Sequence, residues 1–148
     1  MNTNYEILIV DDVSENIKVA INILKESEYN FSFAVSGESA LEILKTKRFD
    51  LILLDIMMPG IDGFKVCELV KKTPQIKDTP IIFVTAKVDI DSIEKGFELG
   101  AYDYVTKPFY PTELKARVKT HLELYRAKRQ LKANNINLNE QIKEMKNS

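Results

Sequence analysis

Only one of the 148 residues is cysteine, one is histidine and none is tryptophan. The lone Cys67 excludes a disulfide framework and a metal–thiolate site. It falls at an apolar position of a predicted helix, where a packed thiol is expected and a reactive one is not. Long apolar runs are missing too: the longest near the start, residues 7–10, is far too short for a signal peptide or a membrane span. Nor is there an excess of one charge. Lys plus Arg (21) nearly balance Asp plus Glu (22), so no bulk electrostatic pull toward nucleic acid or an anionic membrane exists. The cytoplasm is the expected location. At 45% hydrophobic and 29% charged residues, the chain suits one globular domain with a little left over.

What is present is a regular alternation. Apolar runs at 7–10, 31–35, 51–54, 81–84 and 102–105 read as strands, each followed by a helical pattern. The first helix, 14–26, places Ile17, Val19, Ala20, Ile23 and Leu24 at helical spacing, with Ser14 as its N-cap. The second opens at Ser36-Gly37-Glu38 and turns Ala40, Leu41, Ile43 and Leu44 inward. Met57-Met-Pro-Gly-Ile-Asp-Gly63 is a turn-rich loop before a helix at 64–71. Helices at 92–99 and from about Thr112 follow, Pro111 suiting a first turn. Four of the five strands are near-continuous apolar runs, as expected when helices cover both faces of a parallel sheet. The fold class is therefore α/β, a doubly wound five-stranded parallel sheet of flavodoxin-like order 2-1-3-4-5. Such a sheet binds ligands beyond the carboxyl ends of its strands, between the first and third.

That edge is where the polar residues stand. Asp11 and Asp12 follow the first strand, Asp55 the third and Thr85 the fourth, while Lys107 stands two residues beyond the fifth. Three gathered carboxylates repel one another unless a cation neutralises them. Oxygen-only ligands in an incomplete shell favour Mg²⁺ over Ca²⁺. Lys107 adds a point charge and Thr85 a hydroxyl able to donate to an anionic oxygen. The set describes phosphoryl transfer, in which catalysis is mostly positioning and charge neutralisation.

Val10-Asp11-Asp12, Leu54-Asp55-Ile-Met-Met-Pro59-Gly60 with Asp62-Gly63, Val84-Thr85-Ala86 and Ala101-Tyr-Asp103-Tyr104-Val-Thr-Lys107-Pro108-Phe109 resemble the receiver domains of two-component response regulators, over about residues 7–124. The resemblance implies that Asp55 accepts a phosphoryl group from a phosphohistidine on a histidine kinase or phosphotransfer protein. It implies that Asp12, Asp55 and the Met57 carbonyl bind Mg²⁺ directly, with Asp11 holding it through water. Lys107 and Thr85 would contact the phosphoryl oxygens, small Ala86 would leave them room, and the Lys107–Pro108 bond would be cis. Thr85 and Tyr104 would be the switch pair, acting on the face of the fourth helix, fifth strand and fifth helix. Met57 and Lys87 would tune dephosphorylation. Such a chain catalyses its own phosphorylation and dephosphorylation but is mainly a signalling switch.

The division expected is a receiver at 1–124 and a helical extension at 125–148. Beyond Leu124 there is no Gly or Pro, and Leu124, Leu131, Leu138 and Met145 recur every seven residues, with Lys128, Asn135 and Ile142 four after the first three. Two readings stay open: a parallel coiled coil joining a homodimer, with Asn135 fixing register, or a solvated linker to an output domain, as in a hybrid kinase or cyclic-nucleotide signalling enzyme. Ser148 carries no mark of a natural terminus. A haloacid-dehalogenase-type phosphatase is the rival chemistry, but it wants a second acid where this chain has Met57. Direct nucleic-acid binding is not expected, because Lys115, Arg117, Lys119, Arg126, Lys128, Arg129 and Lys132 read as a solvated helix face. His121 lacks the neighbours of a phosphoacceptor histidine and reads as exposed or interfacial.

Overall fold

The computed structural model describes residues 4–86 and 90–147; Lys87 and Ser148 lie outside them. The order is β1 (Tyr5–Val10), α1 (Ser14–Leu24), β2 (Tyr29–Ala34), α2 (Gly37–Thr46), β3 (Leu51–Asp55), α3 (Gly63–Lys71), β4 (Ile81–Thr85), α4 (Ile90–Glu98), β5 (Asp103–Thr106) and α5 (Pro111–Asn147). The strands form one parallel sheet in the order β2-β1-β3-β4-β5.

Alternation along each strand builds two cores. Leu8, Val10, Ile52, Leu54, Ile81 and Phe83 face Ala40, Leu44, Val66, Cys67 and Val70 of α2 and α3. Their neighbours Ile7, Ile9, Leu51, Leu53, Ile82, Val84 and Val105 face Ile17, Ala20 and Leu24 of α1 and Leu114, Val118 and Leu122 of α5. Each large aliphatic side chain so buried contributes roughly 1.5–3 kcal/mol. Cys67 is fully buried, with burial pushing its thiol up to about 11, so it packs as expected.

Two expectations for α1 fail. Ser14 is the first helical residue, and Val13 stands at the N-cap position with no side-chain cap. The Val13 N–H donates instead to Asp11 Oδ1 at 2.9 Å, so the carboxylate already at the strand end does the local work. Val19 is exposed: two residues beyond Ile17 it is turned roughly 200° around the helix, away from the sheet. In α2, Ser36 does cap, accepting from the Ser39 N–H at 3.1 Å.

The β3–α3 connection positions the site. Gly60 takes φ 75°, which a side chain would resist, and Glu38 Oε1 accepts from the Ile61 N–H at 3.2 Å. Asp62 caps α3 by accepting from the Lys65 N–H at 2.9 Å. Gly63 then packs flat on the strand end: a Cβ there would strike the Asp55 carbonyl oxygen and lie 2.9 Å from the Ile56 Cα. Neither is a flexible tip that could yield. Gly63→Ala should therefore cost about 1–3 kcal/mol, as overpacking does, read as a lower urea midpoint; an unchanged midpoint would contradict the close approach.

Candidate functional site

Register brings the polar residues side by side. Val10 pairs with Leu54, which sets Asp11 beside Asp55. Asp55 pairs with Val84, and Thr85 with Thr106. The Lys107 N–H then donates to the Thr85 carbonyl at 2.8 Å. Residues 11, 55, 85 and 107 thus close the carboxyl edge of four neighbouring strands.

The contacts are those of a charge cluster. Lys107 Nζ lies 3.0 Å from Asp11 Oδ2 and 3.2 Å from Asp55 Oδ2. Asp11 Oδ1 also accepts from Asn16 Nδ2 at 3.4 Å, and Asp55 Oδ1 from the Met57 N–H at 3.3 Å. Asp11, Asp55 and Thr85 are buried, whereas Asp12 is exposed at the rim. Carboxylate oxygens of Asp11, Asp12 and Asp55 all lie within 4.8 Å of one another, a spacing that one cation can bridge. An all-oxygen donor set suits a hard cation. The Lys107–Pro108 bond is cis, as expected, and Ala86 is exposed beside Thr85.

Burial, then the Asp11 charge, push the Asp55 carboxyl up to about 6; Lys107 and the Met57 N–H only partly offset them. Burial works against the charge on Lys107, but hydrogen bonds and charges from Asp11 and Asp55 outweigh it and hold that ammonium above its ordinary value. Asp55 is thus short of positive charge, and one more cation would satisfy it. The edge is open. A groove of about 770 Å³ lies between α2 and α3 among Leu41, Leu44, Ile61 and Ile76. None of Asp11, Asp12, Asp55, Thr85 and Lys107 lines it.

Tyr104 stands apart from the cluster, although three residues before Lys107. Its ring meets Phe97 edge-on at 6.3 Å, and the Arg117 guanidinium lies 5.8 Å from its centroid. Arg117 Nη1 donates to Asp103 Oδ1 at 2.6 Å, and His121 Nε2 lies 3.0 Å from Asp103 Oδ2. Burial favours protonating Asp103, but Arg117, His121 and the Tyr104 N–H outweigh it and hold the carboxyl below the usual range. His121 is therefore an internal partner of β5 and not an exposed residue. The expected solvated face of α5 is also partly tied down. Lys115 pairs with Glu26 at 3.1 Å, Lys132 pairs with Asp78 at 3.0 Å, and Arg126 sits 3.8 Å over the Tyr5 ring. The signal available for the Asp103 cluster was the four-residue spacing of Arg117 and His121, which puts both on one helix stripe. Asn16 had none.

A family model described as the response regulator receiver domain matches residues 7–119. The transcriptional regulatory protein YvrH of Bacillus subtilis is 43% identical over 81% of this chain and 50% of its own length. A probable cyclic di-GMP phosphodiesterase of Vibrio cholerae is 45% identical over 82% of this chain and 27% of its own. The chain thus spans half or less of the length of these curated relatives. Among solved structures, the signal receiver domain of a signal transduction histidine kinase from Syntrophus aciditrophicus superposes with TM-score 0.74 at 34% identity, covering 80% of this chain and 90% of that one.

A raised carboxyl binds more protons folded than unfolded between its two pKa values. Without divalent cation, Asp55 should therefore make stability fall as pH rises from about 4 to about 6, and level off above. Asp55→Asn removes that slope. Relative to wild type, the variant should gain stability across this window and keep the gain at pH 7–8, measured by urea melts in chelator; a difference independent of pH would contradict the raised carboxyl.

Proposed function

Because this chain belongs to the response regulator receiver domain family, we propose that Asp55 is its phosphoacceptor, charged by a histidine kinase or a phosphotransfer protein. The observation that carries the reading is the Lys107 ammonium bridging Asp11 and Asp55 beside a third carboxylate. Asp55 Oδ attacks phosphorus, the new O–P bond forms as the P–N bond to the donor histidine breaks, and the imidazole leaves with the electron pair. Lys107 meets one phosphoryl oxygen and Thr85 donates its hydroxyl to another, both from strand ends fixed before the donor arrives. Asp11, Asp12, Asp55 and the Met57 carbonyl would hold Mg²⁺. When bound, Mg²⁺ supplies the positive charge that the three carboxylates and the incoming phosphoryl oxygens lack. Hydrolysis of the acyl phosphate on the same residues resets the chain, which makes it a switch with its own chemistry more than an enzyme acting on other substrates.

The readout follows from β5, which leads to Lys107 at one end and carries Tyr104 near the other. Movement of the Thr85 hydroxyl onto the phosphate opens space that the Tyr104 ring fills, exchanging its contacts with Phe97 and Arg117 for inward ones. The receiver occupies residues 1–124 and the helical extension 125–148, through which a second copy binds. No helix among the described residues is long and apolar enough to cross a membrane, and we place the chain in the cytoplasm. Attachment to an output module is the second reading, favoured by relatives that are twice as long or more.

Acetyl phosphate with Mg²⁺ should add one phosphoryl group labile to hydroxylamine, and Asp55→Asn should accept none. Undiminished labelling of that variant would overturn the assignment.

Asp12→Ala takes one oxygen from the cation and one negative charge from the cluster. Mg²⁺ affinity should fall by more than the ~10–100-fold typical of losing an outer-shell partner, while the metal-free protein keeps or gains stability. A thermal-shift titration with Mg²⁺ reads both; full Mg²⁺ stabilisation of the variant would move the site elsewhere.

A further inference from the structure

Past Leu122, no described side chain of α5 is buried. Leu124, Leu131, Leu138 and Met145 recur every seventh residue, and Ile142 joins their stripe. These five are 42–75% exposed. The other long apolar residues of the tail, Tyr125 and Ile136, lie off the stripe and line a groove against the chain's own Arg48 and Pro74. A period of seven stays on one face only if the helix supercoils around another helix, since a straight helix drifts by about 20° each heptad. Lys128, Leu131 and Asn135 border a groove with Asp78 and Tyr102 of the globular body, yet Leu131 stays 61% exposed, and the seven-residue period itself is the pattern that a partner helix requires.

We infer that a second copy of this chain covers the stripe, parallel and in register, so that Asn135 meets Asn135 across a two-fold axis. This deepens the self-pairing proposed for the tail and does not depend on the chemistry at Asp55. An amide carries both donor and acceptor, so Asn135 is satisfied by its own symmetry mate. In an antiparallel pair the two kinds of core position would face each other, leaving Asn135 against leucine. Parallel flanking contacts run from one position to the fifth beyond it: Ala127 to Lys132, Asn134 to Asn139 and Gln141 to Lys146, with no like charges opposed. An antiparallel pair would set the Lys132 and Lys146 flanks against each other.

Between Leu124 and Met145, Lys128 is the one charged residue in the stripe, and the structure shows where its charge goes. Its Nζ lies 5.3 Å from the centroid of Tyr102, a ring that also receives Lys71 at 5.0 Å. Lys132, flanking the stripe, pairs with Asp78 at 3.0 Å. Both cations are drawn back onto the chain's own body, so the stem of Lys128 can pack in the seam while its ammonium stays outside. Upstream the stripe continues through His121 and Arg117, the residues that hold Asp103 beside Tyr104. The two-fold axis would therefore run past the edge that carries the switch aromatic.

Disulfide trapping in the full chain tests this. Cys67 is fully buried, so an introduced thiol is the reactive one. Across a parallel in-register seam two Asn135→Cys residues fall within disulfide range, whereas Ala133→Cys lies off the stripe, on the face that borders Arg48 and Pro74, and should cross-link at least about tenfold more slowly. Adding Leu131→Asp to Asn135→Cys should abolish the cross-link and give a folded monomer by sedimentation and circular dichroism. Adding Asp55→Asn should leave it unchanged, which separates this inference from the phosphoacceptor reading. Equal rates at positions 133 and 135, or a cross-link indifferent to Leu131→Asp, would overturn the seam.

Discussion

Lys107 between Asp11 and Asp55 is the contact on which the rest of the site depends. Two buried carboxylates on adjacent strands are a standing cost, because each loses water and each repels the other. One ammonium at 3.0 and 3.2 Å offsets part of that cost and leaves the remainder visible as a raised Asp55 carboxyl. The cluster is thus poised for more positive charge, which is what a divalent cation brings, and for an anionic group placed within reach of Lys107. Everything nearby serves to hold this geometry: Gly63 lets α3 sit on the strand end, Glu38 pins the preceding loop, and Asp11 also starts α1.

The same strand connects this cluster to a second one. β5 begins at Asp103, whose carboxylate gathers Arg117 and His121, and leads into Lys107 at the acidic edge. Tyr104 lies between them, touching Phe97 of α4 and Arg117 of α5. A change at Asp55 that draws on Thr85 and Lys107 therefore acts on an element already tied to α5. Because α5 runs unbroken from Pro111 to Asn147, roughly 55 Å at 1.5 Å per residue, a shift at its start is carried into the tail without a hinge.

Much of this was legible before the structure. Five apolar runs of strand length, each with a helical pattern behind it, specify a parallel doubly wound sheet, and the residues just past β1, β3, β4 and β5 must then share one edge. That is why Asp11, Asp55, Thr85 and Lys107 could be placed together from spacing alone. Periodicity says nothing of capping or long side chains. Ser14 looked like a cap, but the Asp11 carboxylate reached the start of α1 first. Arg117, Arg126 and Lys132 looked solvated because their partners, Asp103, Tyr5 and Asp78, come from distant segments that only folding brings near. The exposed reading of His121 failed for the same reason. Lys128 puts a charge into the heptad stripe, and only the position of Tyr102 shows where that charge is turned.

The central claim is that the buried, cation-short Asp55 is the nucleophile and its acidic neighbours are not. Borohydride reduces an aspartyl phosphate to homoserine at the residue that carried it, and tandem mass spectrometry of the digested protein locates that residue. After incubation with a phosphodonor and Mg²⁺, homoserine is predicted at position 55 alone. Homoserine at position 11 or 12, or none at any aspartate while phosphate remains on His121, would contradict the account.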